Sequence, residues 1–164
     1  MSIVDINKIP DLEKSLKELT SKRIEVGWFA EDNSHLAMIA RSQEYGATIP
    51  VSEQLRNWMA ASGYYLKKST TVLHIPERAP LRKSLEKLSD IHFIVSTAVD
   101  KSMGNYDSRK ALNYIGVHLV RLVQKTINSN IGPKNHPFTL QHKKGDKTLV
   151  NKGNLVSGVQ YKIK

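Results

Sequence analysis

At 164 residues, 40% hydrophobic and 24% charged, the chain is long enough for one domain with a substantial core, and its composition excludes a disordered polymer. The absence of cysteine excludes disulfides, thiolate metal centres and a cysteine nucleophile, and it fits an intracellular origin. Twenty-five Lys and Arg against 15 Asp and Glu give a formal charge of +10, a field that favours nucleic acid, an anionic surface or an acidic protein face.

Met1 to Pro10 carries Asp5 and Lys8 among isolated apolar residues, which does not fit a signal peptide. No window reaches the roughly 18 apolar residues of a membrane span. Ile9 to Thr20 places Leu12, Leu16 and Leu19 at helical spacing, with Glu and Lys between them. Arg23 to Phe29 alternates Ile24, Val26 and Trp28 with Arg23, Glu25 and Gly27, the period of a half-buried strand. Glu31-Asp32-Asn33-Ser34 is a turn with good capping residues, and Leu36, Ile39 and Ala40 then share a helical face that should end near Gly46. Ala47 to Val51 contains Pro50 and reads as an edge segment or loop. Ser52 opens a third helix, with Leu55, Trp58 and Met59 on it and Gly63 at its end, and Val72 to Ile75 is a short strand.

The stretch Ile75-Pro76-Glu77-Arg78-Ala79-Pro80-Leu81-Arg82 is a stiff elbow. Each proline fixes its own φ and disfavours helix at the residue before it. Ile75 and Ala79 should therefore be extended, and a helix can begin only at about Pro80, with Leu81, Leu85 and Leu88 as its apolar stripe. Ile91 to Ser102 is an apolar-rich helix ended by Gly104-Asn105. Asp107 to Asn128 is the longest periodic element, with Leu112, Ile115, Leu119, Leu122 or Val123, and Ile127 stepping by three and four. Asn128 to Pro137 is a loop, Phe138 to Gln141 a candidate strand, and Val159, Tyr161 and Ile163 alternate in a final strand. This order predicts an α+β fold, a small antiparallel β-sheet with several α-helices packed on one face, in a single domain over residues 1–164. A flexible basic loop is expected at about 129–153.

Reactive constellations are sparse. The nine glycines match neither a phosphate-binding loop nor a dinucleotide fingerprint, and Gly153-Asn-Leu-Val-Ser-Gly158 is not a nucleophile elbow. None of His35, His74, His92, His118, His136 and His142 pairs with another at helical ligand spacing, and His118 reads as a half-buried boundary residue. No catalytic residue, cofactor or metal is expected. His136 and His142 flank Phe138-Thr139-Leu140 in a basic region, and two imidazoles with a lysine could cleave RNA without metal, although loop histidines are usually just solvated. Tyr64 and Tyr65 beside Lys67 and Lys68 are the best candidates for base stacking, whereas Trp28 and Trp58 read as core. Between His142 and Lys164, lysines 143, 144, 147, 152, 162 and 164 stand against Asp146 alone, a local charge of +5. Such a tail is either solvated or docks on an acidic neighbour or phosphate.

Taken in order, Glu44-Tyr45-Gly46, then Ile75-Pro76-x-Arg78-x-Pro80-Leu81-Arg82 and a following helix resemble the tail-completion and head–tail joining proteins of tailed bacteriophages. The strand Ile24-Glu25-Val26-Gly27 is similar to that family's Val-x-Val-Gly opening. Leu149-Val150-Asn151-Lys152-Gly153-Asn154-Leu155 is similar to its Leu-x-Asp-Thr-Gly-x-Leu close. Two departures stand out. The family's aromatic between proline and leucine is missing before Leu81, and Asn151-Lys152 replaces Asp-Thr.

The resemblance, over roughly residues 20–163, implies a non-enzymatic virion protein of the neck or tail. It implies a homo-oligomeric ring, expected as a hexamer, that meets head-completion, tail-terminator or tail-tube proteins and makes transient contact with DNA in the channel, with no membrane. Glu44, Tyr45, Gly46, Arg78, Pro80, Leu81, Arg82, Lys143, Lys144 and Gly153 are the candidate assembly residues. Arg78 and Arg82 could pair with acids on a neighbouring protein or tie the elbow within its own fold. The other reading is a basic nucleic-acid-binding module or a small metal-independent nuclease. From sequence, Pro80→Gly should leave the monomer folded but weaken assembly, and Leu85→Asp should unfold it.

Overall fold

A computed structural model describes residues 7–103, 107–143 and 145–164. The amino-terminal residues 1–6, the helix end at Gly104-Asn105 and Lys144 lie outside the described residues. The chain runs α1 (Ile9–Ser21), β1 (Ile24–Gly27), α2 (Ala30–Tyr45), β2 (Ala47–Pro50), α3 (Glu53–Ala61) and β3 (Val72–Ile75). It continues through α4 (Pro80–Glu86), α5 (Ile91–Met103), α6 (Ser108–Asn128), α7 (Pro137–Gln141), α8 (Asn154–Ser157) and β4 (Gln160–Ile163). The class is α+β.

The expected single sheet is divided in two. β1 pairs antiparallel with β4, Ile24 opposite Ile163 and Val26 opposite Tyr161, so the two ends of the fold close on each other. β2 pairs antiparallel with β3, Ala47 opposite Ile75 and Pro50 opposite Val72. Each strand has only four residues, and past Pro50 the Val51 N–H still donates across to the Thr71 carbonyl at 2.8 Å.

The long helix α6 is the spine. Asp107 caps it, accepting from the Lys110 N–H, and α1, α4, α5, α8 and both strands of the β1–β4 pair pack against it. Val123 and Ile127 of α6 join Ala40, Ile131, Leu149, Leu155 and Val159 in the main core, with Trp28, Leu36, Ile39 and Leu81 packed against them. The Trp28 indole N–H donates to the Leu155 carbonyl at 2.8 Å, which ties β1 to α8. α2 is interrupted at Asn33 (φ −158°, ψ 93°), whose side chain accepts from the Leu36 N–H and so caps the helix proper.

Several sequence expectations are corrected. Phe138–Gln141 is a short helix, because Pro137 stands in its first turn and the His136 side chain caps it by accepting from the Phe138 N–H. Trp58 is 57% exposed, and its neighbour Met59 takes the buried position on α3. Of the predicted leucine stripe, Leu81 packs on the core and Leu88 is half-buried, but Leu85 is 58% exposed, because α4 turns Pro80 and Ser84 inward. The Ser84 hydroxyl is made compatible with burial by donating to the Pro80 carbonyl at 2.6 Å. The 129–153 segment contains α7 and sends Ile131 and Leu149 into the core. Within that segment the Asn130 side chain accepts from the Thr148 N–H and hydroxyl, and Asn135 donates to the Thr148 carbonyl.

The α6–β4 contact leaves no room at Gly116. A Cβ there would lie 2.3–2.6 Å from the Tyr161 ring, whose hydroxyl donates to Asn113. Helix propensity alone would make Gly116→Ala stabilising by about 1 kcal/mol. The overlap reaches the root of the ring, so the expected result is net destabilisation of roughly 1–3 kcal/mol. Thermal unfolding monitored by circular dichroism checks the sign; a raised Tm would refute this packing.

Candidate functional site

The Glu44-Tyr45-Gly46 end of α2 and the Ile75–Arg82 elbow, whose bonded residues are 37 and 38 positions apart in sequence, meet in one junction. Glu44 is 4% exposed. Its carboxylate accepts from the Leu81 N–H at 2.8 Å and the Arg82 N–H at 3.1 Å, two of the donors that a helix N-terminus leaves without an internal partner. It also accepts from Arg82 Nε at 3.2 Å, while Arg82 Nη2 donates to the Glu44 carbonyl at 2.7 Å and bridges to Glu77 at 2.7 Å. The hydrogen bond to Glu44 is the chief reason that the Arg82 pKa lies above its ordinary value. Arg82 thus pairs with two acids of its own fold, its side chain half exposed.

Arg78 differs from expectation in its partners. It is 5% exposed and pairs with no acid among the described residues. Its guanidinium donates to the Pro133 carbonyl, the Gln43 side chain and the Asn135 side chain at 3.1, 2.7 and 3.0 Å, which pins the 129–137 loop to α2. Burial lowers its pKa, but arginine remains charged at neutral pH.

Ala79 is not extended. It adopts the left-handed conformation (φ 50°, ψ 57°), and its N–H and that of Arg78 both donate to the Gln43 carbonyl. That strain, on the order of 1–3 kcal/mol, persists because these bonds and the Glu44 cap over-determine the turn. Gly46 (φ 74°, ψ 171°) lies where glycine is nearly obligatory, and a Cβ there would come within 2.9 Å of the Ile75 carbonyl. Pro80 is fully buried, and Leu81 packs on the core. Tyr45 is 68% exposed, with the Arg82 guanidinium 5.6 Å from its ring centre.

The remaining expected residues lie apart from this junction. Lys143 Nζ donates to the Lys147 carbonyl and to the Thr148 carbonyl at 2.9 Å. Its pKa is lowered, first by burial and then by the Arg78 charge, with Asp146 opposing. Gly153 holds a left-handed turn (φ 84°) at the start of α8. Lys162 and Lys164, expected as part of a basic tail, are on and next to β4, bonded to Glu31 and Asp32 and to Glu25 respectively.

The two loop histidines each bond to the backbone of α7. His136 accepts at its first turn, and His142 Nδ1 lies 2.9 Å from the Phe138 carbonyl. His118 is half-buried with its ring centre 4.4 Å from that of Tyr114. Among the described residues, no three of His, Asp and Glu converge where a metal ion could sit, and no helix is long and apolar enough to cross a membrane.

Sequence reasoning missed Gln43, Glu77 and Asn135 as partners of the two arginines. Gln43 could have been suspected from its place beside Glu44-Tyr45-Gly46; Asn135 carries no local signal. No family model matches the chain, and no curated protein or solved structure is significantly similar to it.

Two substitutions test the junction. Glu44→Ala strands two helix N–H groups and uncouples Arg82, and should cost roughly 2–4 kcal/mol, discounted for the half-exposed arginine. Arg78→Lys cannot span three acceptors and should cost about 1–3 kcal/mol. Leu85→Asp, being at an exposed position, should stay within about 0.5 kcal/mol. Chemical denaturation of the three variants should give that order.

Proposed function

We propose that the chain is a non-enzymatic structural subunit of a tailed-phage virion, a ring-forming protein of the neck or tail. The observation that carries this reading is that the two sequence signals behind the resemblance, Glu44-Tyr45-Gly46 and the Ile75–Arg82 elbow, are mechanically one unit joined through the Glu44 carboxylate. A ring subunit needs a stiff edge that loses little conformational freedom on assembly, and an elbow with two prolines and a buried cap has little left to lose.

Apolar side chains stand exposed around that unit. Met38 and Tyr45 line one shallow depression on α2 and are 58% and 68% exposed, and Leu85 on α4 is 58% exposed. Burial against a second copy would account for them. On this reading the buried residues Glu44, Arg78 and Pro80 shape the edge, while Tyr45 and the outer part of Arg82 meet the neighbour. The further partners are head-completion, tail-terminator or tail-tube proteins, and the location is the virion, after synthesis in the bacterial host cytoplasm.

Analytical ultracentrifugation and negative-stain imaging of the purified protein test the proposal. Rings should form as concentration rises. Tyr45→Glu should abolish them while leaving Tm within a few degrees of the parent, because the side chain is largely solvated in the monomer. A chain that stays monomeric at high concentration would sink the reading.

A further inference from the structure

The positive charge is concentrated in one part of the chain. Residues 108–164 carry eleven Lys and Arg and a single acid, Asp146, whereas the first 107 residues carry fourteen of each sign. Residues 54–76 also contain no acid. The fold brings these acid-poor segments together. Trp58 of α3 and Phe138 of α7 meet edge to face with ring centres 6.4 Å apart. Tyr64 lies 4.9 Å from Phe138 and 5.4 Å from His136, and His142 lies 4.4 Å from Phe138 on the same basis. Five rings therefore form one continuous patch.

Beside it opens a cleft of about 350 Å³ lined by Trp58, Phe138, His142, Lys143, Gln43 and Asn135, among others, and none of its lining residues is acidic. The indole of Trp58 is 57% exposed there.

The cations fall into groups with different partners. Arg23, Arg82, Lys162 and Lys164 are each bonded to a carboxylate. Arg56, Arg78 and Lys143 bond instead to neutral oxygens: Arg56 to the carbonyls of Leu66, Lys67 and Thr70, Arg78 to Gln43, Asn135 and Pro133, and Lys143 to Lys147 and Thr148. No ion pair among the described residues engages any of the three; Lys143 lines the cleft, and the Arg78 charge acts on it there. Asp146 is the one acid that acts on Lys143.

We propose that this cleft binds a segment of single-stranded nucleic acid, with a base stacked on Trp58 and the adjoining phosphate held by Lys143. Charge complementarity selects an anionic ligand. The exposed aromatic patch selects, among anions, one that presents flat unpaired bases, because a duplex keeps its π-faces stacked inside. The amides of Gln43 and Asn135 can reach base edges but are partly engaged by Arg78, so little sequence preference is expected. The proposal does not depend on ring formation.

The test is fluorescence anisotropy of a labelled oligothymidine of roughly 12 nucleotides, a length within the site sizes of such grooves, titrated with the full chain. Binding should weaken with salt, and Lys143→Gln should reduce the slope of log K against log salt by about 0.7. Trp58→Ala should weaken binding about five- to 150-fold, and Trp58→Phe should recover most of the loss. Phe93→Ala, an exposed ring on α5, should leave binding unchanged.

Three outcomes overturn the proposal. Equal affinities for parent and Trp58→Ala would mean non-specific charge attraction. A duplex binding as tightly as the single strand would mean that no base is stacked. Labelled polyglutamate binding with the same Trp58 dependence would assign the cleft to an acidic protein segment. Circular dichroism confirms that each variant is folded before it is scored.

Discussion

The Glu44 carboxylate is the contact on which the middle of the molecule depends. Helix α4 has seven residues, too few to be stable alone, since the nucleus of a helix fixes several dihedral angles for each hydrogen bond gained. It exists because its first turn is received by a buried anion at the end of α2 and because Pro80 and Ser84 are buried behind it. The anion is tolerable in the interior only because those N–H groups and Arg82 satisfy it. Remove any one party and the others become costly. The left-handed Ala79 and the tight Gly46 turn are held in place by the same mutual dependence.

Arg78 completes that arrangement from the other side. A buried guanidinium bonded only to carbonyl and amide oxygens is satisfied in hydrogen bonds but not in charge. It serves the fold by holding the 129–137 loop against α2. It also leaves a positive potential next to Lys143 and the aromatic cleft. Lys162 and Lys164 at β4 are neutralised by Glu31, Asp32 and Glu25 and act as staples, whereas Arg56, Arg78 and Lys143 form no ion pair among the described residues. The same chemistry therefore gives a scaffold on one part of the surface and an unfilled electrostatic demand on another.

Regular elements with a clear period were legible in the sequence. The strand around Val26, the helix capped by Asp107 and the closing strand with Tyr161 stand where alternation and three-four spacing put them. Local signals failed where a competing contact set the orientation. Of the Leu81, Leu85 and Leu88 stripe only Leu85 is left exposed, because the Glu44 cap fixes the rotation of α4 and turns Ser84 inward. Phe138 to Gln141 looked extended until the His136 cap and Pro137 started a helical turn. Trp58 looked like core because it is large and apolar, yet α3 is one-sided and Met59 occupies its inner face.

By itself, then, the sequence determined the class of fold, the positions of most elements and the stiffness of the Ile75–Arg82 elbow, because proline geometry and hydrophobic period act within a few residues. It also determined the excess of positive charge. Only the tertiary structure decided what the charges meet. Whether Arg78 faces an acid or an amide, whether Glu44 is buried, and whether Trp58 lies beside Lys143 all depend on residues 35 to 85 positions apart in the chain. No local rule reaches that far; the balance of burial, hydrogen-bond satisfaction and uncompensated charge is settled only when those segments pack.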